Sequence, residues 1–220
     1  MQTIITIDGP SGVGKGTLAR LLATHFNYNL LDSGAIYRLA ALYALKTGTD
    51  LDDEAAVADL MKSLHIVFRV DNGVTRSYLD NEDVSDAIRT QNVAMAASSI
   101  AKLPSVRTAL LKKQQDFACN SKGLVADGRD MGTVVFPHAR YKFFLEASSE
   151  IRAKRRYDEY IIKGLSPDYK QLLEEIKARD YQDRNRAVAP LKPAKDAIVI
   201  DTGSLNINEV FSAVLHHLGV

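Results

Sequence analysis

Thr3 to Ile7 form a short apolar and β-branched run that reads as a buried strand, and it empties directly into Gly9-Pro10-Ser11-Gly12-Val13-Gly14-Lys15-Gly16-Thr17. Leu18, Leu21, Leu22, His25 and Phe26 then recur at helical spacing, so an amphipathic helix with these residues on one face is expected. Strand, glycine loop and helix in that order open a doubly wound α/β fold. No other segment limits the architecture so tightly.

The loop fits the phosphate-binding P-loop pattern with one departure. Gly9 and Gly14-Lys15 are correctly spaced, but Gly16 stands where Ser or Thr is expected and Thr17 comes one place later. Glycines at Gly9, Gly12, Gly14 and Gly16 let successive backbone N–H groups converge on phosphate oxygens, and the following helix adds its positive end. Pro10, Ser11 and Val13 complete the turn. Lys15 supplies a compact charge that reaches β- and γ-phosphates, and Thr17 is the candidate to face magnesium. Glycine-rich turns are common, so the weight lies on the flanking strand and helix.

Further along, Leu30-Leu31 reads as a second strand, and Ser33 as the cap of a helix running to Lys46. Asp52 and its acidic neighbours open another helix, ending near Leu64. Ile66 to Val70 and Val74 to Leu79 read as strands around Asn72-Gly73, a hairpin-turn dipeptide. A hairpin inside an alternating β/α pattern marks an inserted lobe at 64–102. Pro104 opens a helix carrying Arg107, Leu110, Leu111 and Phe117. Leu124 to Ala126, Tyr141 to Leu145 and Ala197 to Ile200 read as core strands. Ser148 or Ser149 caps a basic helix that Gly164 stops, Ser166-Pro167 opens the next, and Asn206 with Glu209 forms a capping box. The organisation expected is one domain over 1–220: a core of 1–63, 103–150 and 190–220, the lobe, and a helical lid at 151–189.

Composition narrows the partners. The 28 basic and 27 acidic residues leave a net charge of +1, which argues against nucleic acid and anionic membrane. Cys119 is the only cysteine, so an intramolecular disulfide and a cysteine-built zinc site are excluded; beside Phe117 and Ala118 it reads as a buried thiol. The first residues lack the pattern of a signal peptide and no run reaches membrane-spanning length, so the cytoplasm is the expected location; a monomer is the expected state.

The Gly-Lys-Gly-Thr ending is closer to nucleoside monophosphate kinases than to GTPases, and no Asn is followed by Lys as a guanine-reading segment requires. Three further segments make the chain resemble the bacterial-type cytidylate kinases over almost its whole length: Leu31-Asp32-Ser33-Gly34-Ala35-Ile36-Tyr37-Arg38, Ala126-Asp127-Gly128-Arg129-Asp130-Met131-Gly132-Thr133, and Asp183-Arg184-Asn185-Arg186-Ala187-Val188-Ala189-Pro190. The resemblance implies ATP and Mg²⁺ as cosubstrates, with Mg²⁺ carried on the phosphates, and CMP and dCMP as acceptors. It implies that Arg38, Arg129 and Arg186 hold the monophosphate, with Ser33 and Tyr37 in the same acceptor set. It also implies that Ser98, Arg107 and Asp130 read cytosine, and that Arg179 with Asp183 reaches the pentose.

Elementary chemistry agrees with those roles. Cytosine offers an exocyclic amine to a carboxylate or hydroxyl, and its ring N3 and O2 suit the fork of an arginine. Uracil would turn an acceptor towards Asp130 instead, so CMP should be preferred over UMP. If 179–186 is helical, Arg179, Asp183 and Arg186 share a face, with Asp180 and Arg184 on the next stripe. Lys154, Arg155 and Arg156 belong to the basic helix; Arg152, Arg156 and Arg184 are candidates to meet the transferred phosphoryl, although an exposed helix face explains the first two equally well. Asp127, at a strand end, either orients magnesium-bound water, braces Arg129 or forms a plain salt bridge. His65, His138, His216 and His217 read as surface or packing residues. Two rivals stay open: another P-loop small-molecule kinase, acting on UMP, AMP or a shikimate-like acceptor, and a nucleotide switch with no acceptor.

Overall fold

The computed structural model describes residues 2–71, 74–119 and 122–220. The chain divides into two compact units, Met1–Leu31 with Phe117–Val220, and Asp32–Asp116.

The first unit is built on a five-stranded sheet, order β2-β6-β1-β7-β8: β1 (Thr3–Asp8), β2 (Asn29–Asp32), β6 (Gly123–Gly128), β7 (Tyr141–Glu146) and β8 (Ile198–Asp201). β1 lies at its centre and runs parallel to β6, from Thr3↔Gly123 to Asp8↔Gly128, and to β7, from Ile5↔Tyr141 to Asp8↔Phe144. β8 continues the parallel set beside β7. Central parallel strands are covered on both faces, which is why β6 is buried along its whole length and reads as an unbroken run. All these strands end at the same edge, with Asp8, Asp127, Glu146 and Asp201 near their carboxyl ends.

Helices α1 (Lys15–Phe26) and α8 (Ile207–Leu218) cover one face, packing Leu18, Leu22, Val210 and Val214 on Ile5, Ile7, Phe143 and Leu145. The buried stripe of α1 is Leu18, Ala19, Leu22 and Ala23; Leu21 and His25, expected on the core face, point to solvent. The buried positions 18, 19, 22 and 23 form one stripe at helical spacing, and Leu21 and His25 fall to its side. Asn27, left-handed at φ 53, ends α1 by returning its N–H to Ala23 and Thr24.

α6 (Ser149–Ile162) starts at Ser148, whose hydroxyl accepts from Ile151 N, and stops at Gly164, left-handed at φ 74. α7 (Tyr169–Asn185) is capped by Asp168, which accepts from Lys170 N and Gln171 N, so Ser166-Pro167 precedes the helix rather than opening it. An aspartate completes this cap because its carboxylate also complements the helix dipole. In α8 both halves of the Asn206–Glu209 capping box form.

The second unit carries α2 (Ser33–Lys46), α3 (Glu54–Leu60), a three-stranded antiparallel sheet of β3 (Ile66–Asp71), β4 (Val74–Leu79) and β5 (Glu82–Asp83), then α4 (Gln91–Ile100) and α5 (Pro104–Asp116). The two expected strands pair antiparallel, from Ile66↔Leu79 to Asp71↔Val74; the Asn72-Gly73 turn lies outside the described residues. The cap of α2 is Asp32, whose Oδ1 accepts from Ala35 N, and not Ser33. Ser33 is buried and donates instead to Gln114 Oε1 at 2.7 Å, joining α2 to α5. Likewise Asp53 caps α3, one place after the expected start, and the helix stops at Leu60. Cys119, expected buried, is exposed in the turn that follows α5. Its apolar neighbours Phe117 and Ala118 are only half-covered, because the helix that would fold them inward has already ended.

Candidate active site

The glycine loop follows β1 without an intervening residue. Gly9 (φ 146), Gly12 (φ 83) and Gly14 (φ 92) all take backbone angles that side chains resist. At Gly9 space forbids one as well, since a Cβ would lie 2.2 Å from the Leu145 carbonyl oxygen. Lys15 opens α1 and folds back under the loop, donating from Nζ to the Pro10 carbonyl at 2.8 Å. Its ammonium also stands 4.0 Å from Asp127 Oδ1. Burial pushes the Lys15 pKa down and the Arg129 charge adds to that; Asp127 and Asp8 oppose it, and the balance is about 7. A polyphosphate entering the loop would add counter-charge to that of Asp127 and Asp8.

Asp8, at the end of β1, is also buried. Its two oxygens accept from Met131 N and Gly132 N, each at 2.8 Å. These amides begin a single π-helical turn, Met131–Val135, so Asp8 fixes the segment that follows Arg129 and Asp130. Burial raises the Asp8 pKa to about 6 despite those two donors.

Arg129 donates from Nε to Asp183 Oδ2 at 2.8 Å, and Arg186 Nη2 lies 3.9 Å from Asp130 Oδ1. Burial alone would lift the Asp183 pKa, but Arg129, Arg179 and Arg186 together hold it below the usual carboxylate range. Arg179 and Asp183 thus share a face of α7 as expected. Arg186 does not: α7 ends at Asn185, and Arg186 is extended, with Nε anchored to the Ala189 carbonyl at 2.6 Å. Arg184 is exposed in the last turn.

Of the other lid candidates, Arg156 is half-buried and donates to Tyr160 Oη at 3.0 Å. Arg152 is not on an exposed face. It is 3% exposed, with bonds to the Ser11, Ala147 and Ser148 carbonyls and to Asp180. A guanidinium with that many acceptors is satisfied inside the fold and is not available to a ligand.

Sequence reasoning missed one wall of the site. A cavity of about 240 Å³ lies between Gly12, Val13, Gly14 and Thr17 of the loop and Thr202, Leu205 and Ile207 after β8. Arg155 also lines it and donates from Nη1 to Thr202 Oγ1 at 3.2 Å. The available signal was positional, since ligands of open α/β sheets bind beyond the carboxyl ends of the strands, and β8 ends at Asp201.

In the second unit, Tyr37 and Arg107 come together, the guanidinium carbon 5.6 Å from the ring centroid and Nη1 bonded to the Ala101 carbonyl. Arg38 and Ser98 are half-buried, on α2 and α4.

A buried lysine beneath a left-handed glycine loop, at the carboxyl edge of a parallel sheet and beside an arginine–carboxylate cluster, defines a P-loop α/β protein equipped to handle phosphate. A family model described as cytidylate kinase matches residues 5–219. The chain is 56% identical to the cytidylate kinase of Pasteurella multocida, covering 99% of this chain and 95% of that one. It is 55% identical to the cytidylate kinase of Actinobacillus succinogenes, covering 98% and 97%. Cytidylate kinase 1 of Haemophilus influenzae is 56% identical, covering 98% and 93%. The chain belongs to the cytidylate kinase family.

Proposed function

We propose that this protein transfers the γ-phosphoryl group of ATP to CMP and dCMP, giving ADP with CDP or dCDP. A phosphate oxygen of the acceptor attacks the γ-phosphorus while the bond to the β–γ bridging oxygen breaks, and ADP leaves. The observation that carries this reading is the buried Lys15 under its glycine loop, in a chain that matches cytidylate kinases end to end.

Gly9 to Thr17 are assigned to the donor phosphates, and the cavity between the loop and Thr202 to the donor base. Mg²⁺ would be carried in on the triphosphate and would supply positive charge against the phosphates. The residues present fit that ion. Thr17 and Asp127 offer hard oxygen groups beside the loop, and among the described residues no set of three His, Cys, Asp or Glu side chains forms a metal cage of its own.

On the first unit, Arg129 and Arg186 are assigned to the acceptor phosphate, Asp130 to the cytosine amine, and Arg179 with Asp183 to the pentose. Lys15, Arg129, Arg184 and Arg186 are assigned to the transferring phosphoryl. The ion pairs already formed by Arg129 and Arg186 support this, because they hold both guanidinium groups in place before ligand arrives. On the second unit, Arg38 is assigned to the phosphate, Ser98 and Arg107 to the base, and Ser33 and Tyr37 to their support.

A coupled assay of ADP release across CMP, dCMP, UMP, AMP and shikimate tests the reading. CMP and dCMP should give the highest kcat/KM. Release independent of acceptor would mark a switch protein, and preference for AMP or shikimate another kinase.

A further inference from the structure

Arg152 sits where three elements meet. It projects from α6, its Nη1 donates both to the Ser11 carbonyl (3.1 Å) and to Asp180 Oδ1 (3.0 Å), and its Nη2 pairs with Asp180 Oδ2. Nε closes on the Ala147 carbonyl at 3.0 Å, and the side chain is 3% exposed. Asp180 comes from α7, one residue from Arg179 and three from Asp183. A buried ion pair adds little net stability, because desolvation offsets its attraction, so stability alone does not explain this one.

The peptide bond supplies a better reason. A trans peptide is planar, and its C=O and the next N–H point in opposite directions. Tying the Ser11 carbonyl to Arg152 therefore fixes the direction of the Gly12 N–H, in a loop whose work is to aim amides at phosphate. Gly12 has no side chain to restrict it and is left-handed at φ 83, so its flanking peptide needs an external hold. A Cβ there would lie 3.3 Å from Arg152 Cβ, which shows how closely α6 backs the loop.

We propose that Asp180 is a positioning residue for the donor side of the reaction: through Arg152 it locks the Ser11–Gly12 peptide in its phosphate-binding orientation. The inference rests on the assignment of the glycine loop to the donor phosphates. Asp180 touches no substrate. It holds the guanidinium, the guanidinium holds the carbonyl, and the amide on the far side of the peptide is aimed.

Calorimetric titration of ATP with Mg²⁺, and separately of CMP, onto wild type, Asp180→Asn and Arg152→Lys tests it, with the Gly12 amide followed by ¹H–¹⁵N NMR. Both variants should bind ATP about 10-fold more weakly, keep CMP affinity within about twofold, and shift the Gly12 resonance. Arg152→Lys keeps the charge and the stem but loses the fork, so it decides the matter if Asp180→Asn does not fold. Unchanged ATP affinity would overturn the proposal. So would equal losses of ATP and CMP affinity in step with a lower Tm, which would mean general loosening. Failure of the wild type to bind ATP would instead overturn the donor assignment itself.

Discussion

The two units of this molecule bury different chemistry. In Met1–Leu31 with Phe117–Val220, ionisable groups are drawn inside: Asp8, Lys15, Asp127, Asp130, Lys142, Arg152 and Asp183 are all buried. In Asp32–Asp116 the buried polar groups are mostly neutral, with Ser33 on Gln114, and Arg107 lies over an aromatic ring. There, the carboxylates with lowered pKa are surface ones, Glu54 held down by the Ser105 N–H and Asp83 by the Ser85 hydroxyl and N–H. Buried charge is costly unless a partner answers it. In the first unit Arg129, Lys142 and Arg152 are answered by Asp183, Asp196 and Asp180, while burial still disfavours the charge of Lys15, the group placed to meet an anionic ligand. That contrast supports the proposed assignment of the donor phosphates to the first unit's Lys15, and of Ser98 and Arg107 on the second unit to the base.

The strongest way to break that contrast is Lys15→Ala. Turnover should fall at least about 10²- to 10³-fold with every acceptor, as for loss of one preorganised charge-stabilising group. Steady-state kinetics across the acceptor panel checks it, and a loss confined to CMP would place Lys15 on the acceptor side.

Asp8 gives the next effect, read as pH-dependent stability. Burial raises its folded pKa from the usual 3.8 to about 6, so its contribution is full well below pH 4 and lost as pH rises through 6. Against Asp8→Asn, whose side chain does not titrate, wild type should lose about 2 kcal/mol between pH 4 and pH 7. Urea unfolding of both proteins at pH 4, 5, 6 and 7 reports the difference. Parallel curves would remove the buried carboxylate from the account.

Asp130→Ala sharpens the division of labour within the acceptor set. It should narrow the CMP-to-UMP ratio of kcat/KM by about 10-fold, because the cytosine amine loses its acceptor. A ratio that does not move would take Asp130 out of base reading. The smallest effect belongs to the second unit. Ser33→Ala strands Gln114 Oε1 in the interior and should cost about 1–2 kcal/mol in chemical denaturation. A cost near zero would mean that water replaces the hydroxyl.

What could be read from the residues alone follows the range of the forces involved. The opening strand, loop and helix are specified locally, and so is the Asn206–Glu209 capping box, where both partners sit within one helical turn. The cap of α2 fell one residue off because Asp32 and Ser33 both favour that position, and only Gln114, far along the chain, draws the serine inward. The burial of Arg152 is illegible in the sequence for the same reason. Its partner Asp180 is 28 residues away, and an arginine on a basic helix carries no local mark of burial. α4 buries Val93, Ala96, Ala97 and Ile100, a stripe half made of alanine, and alanine by itself does not tell a buried face from an exposed one. The wall at Thr202 to Ile207 has ordinary residues and becomes a site only through the sheet order.

A buried lysine, its charge disfavoured by desolvation, is the group proposed to receive the triphosphate. Calorimetry of ATP binding at pH 8, in two buffers of different ionisation enthalpy, tests this most directly. Lys15, with its pKa near 7, is largely neutral at that pH and regains its charge when phosphate arrives. Binding should therefore take up about one proton. Identical heats in both buffers, with ATP bound, would contradict the account.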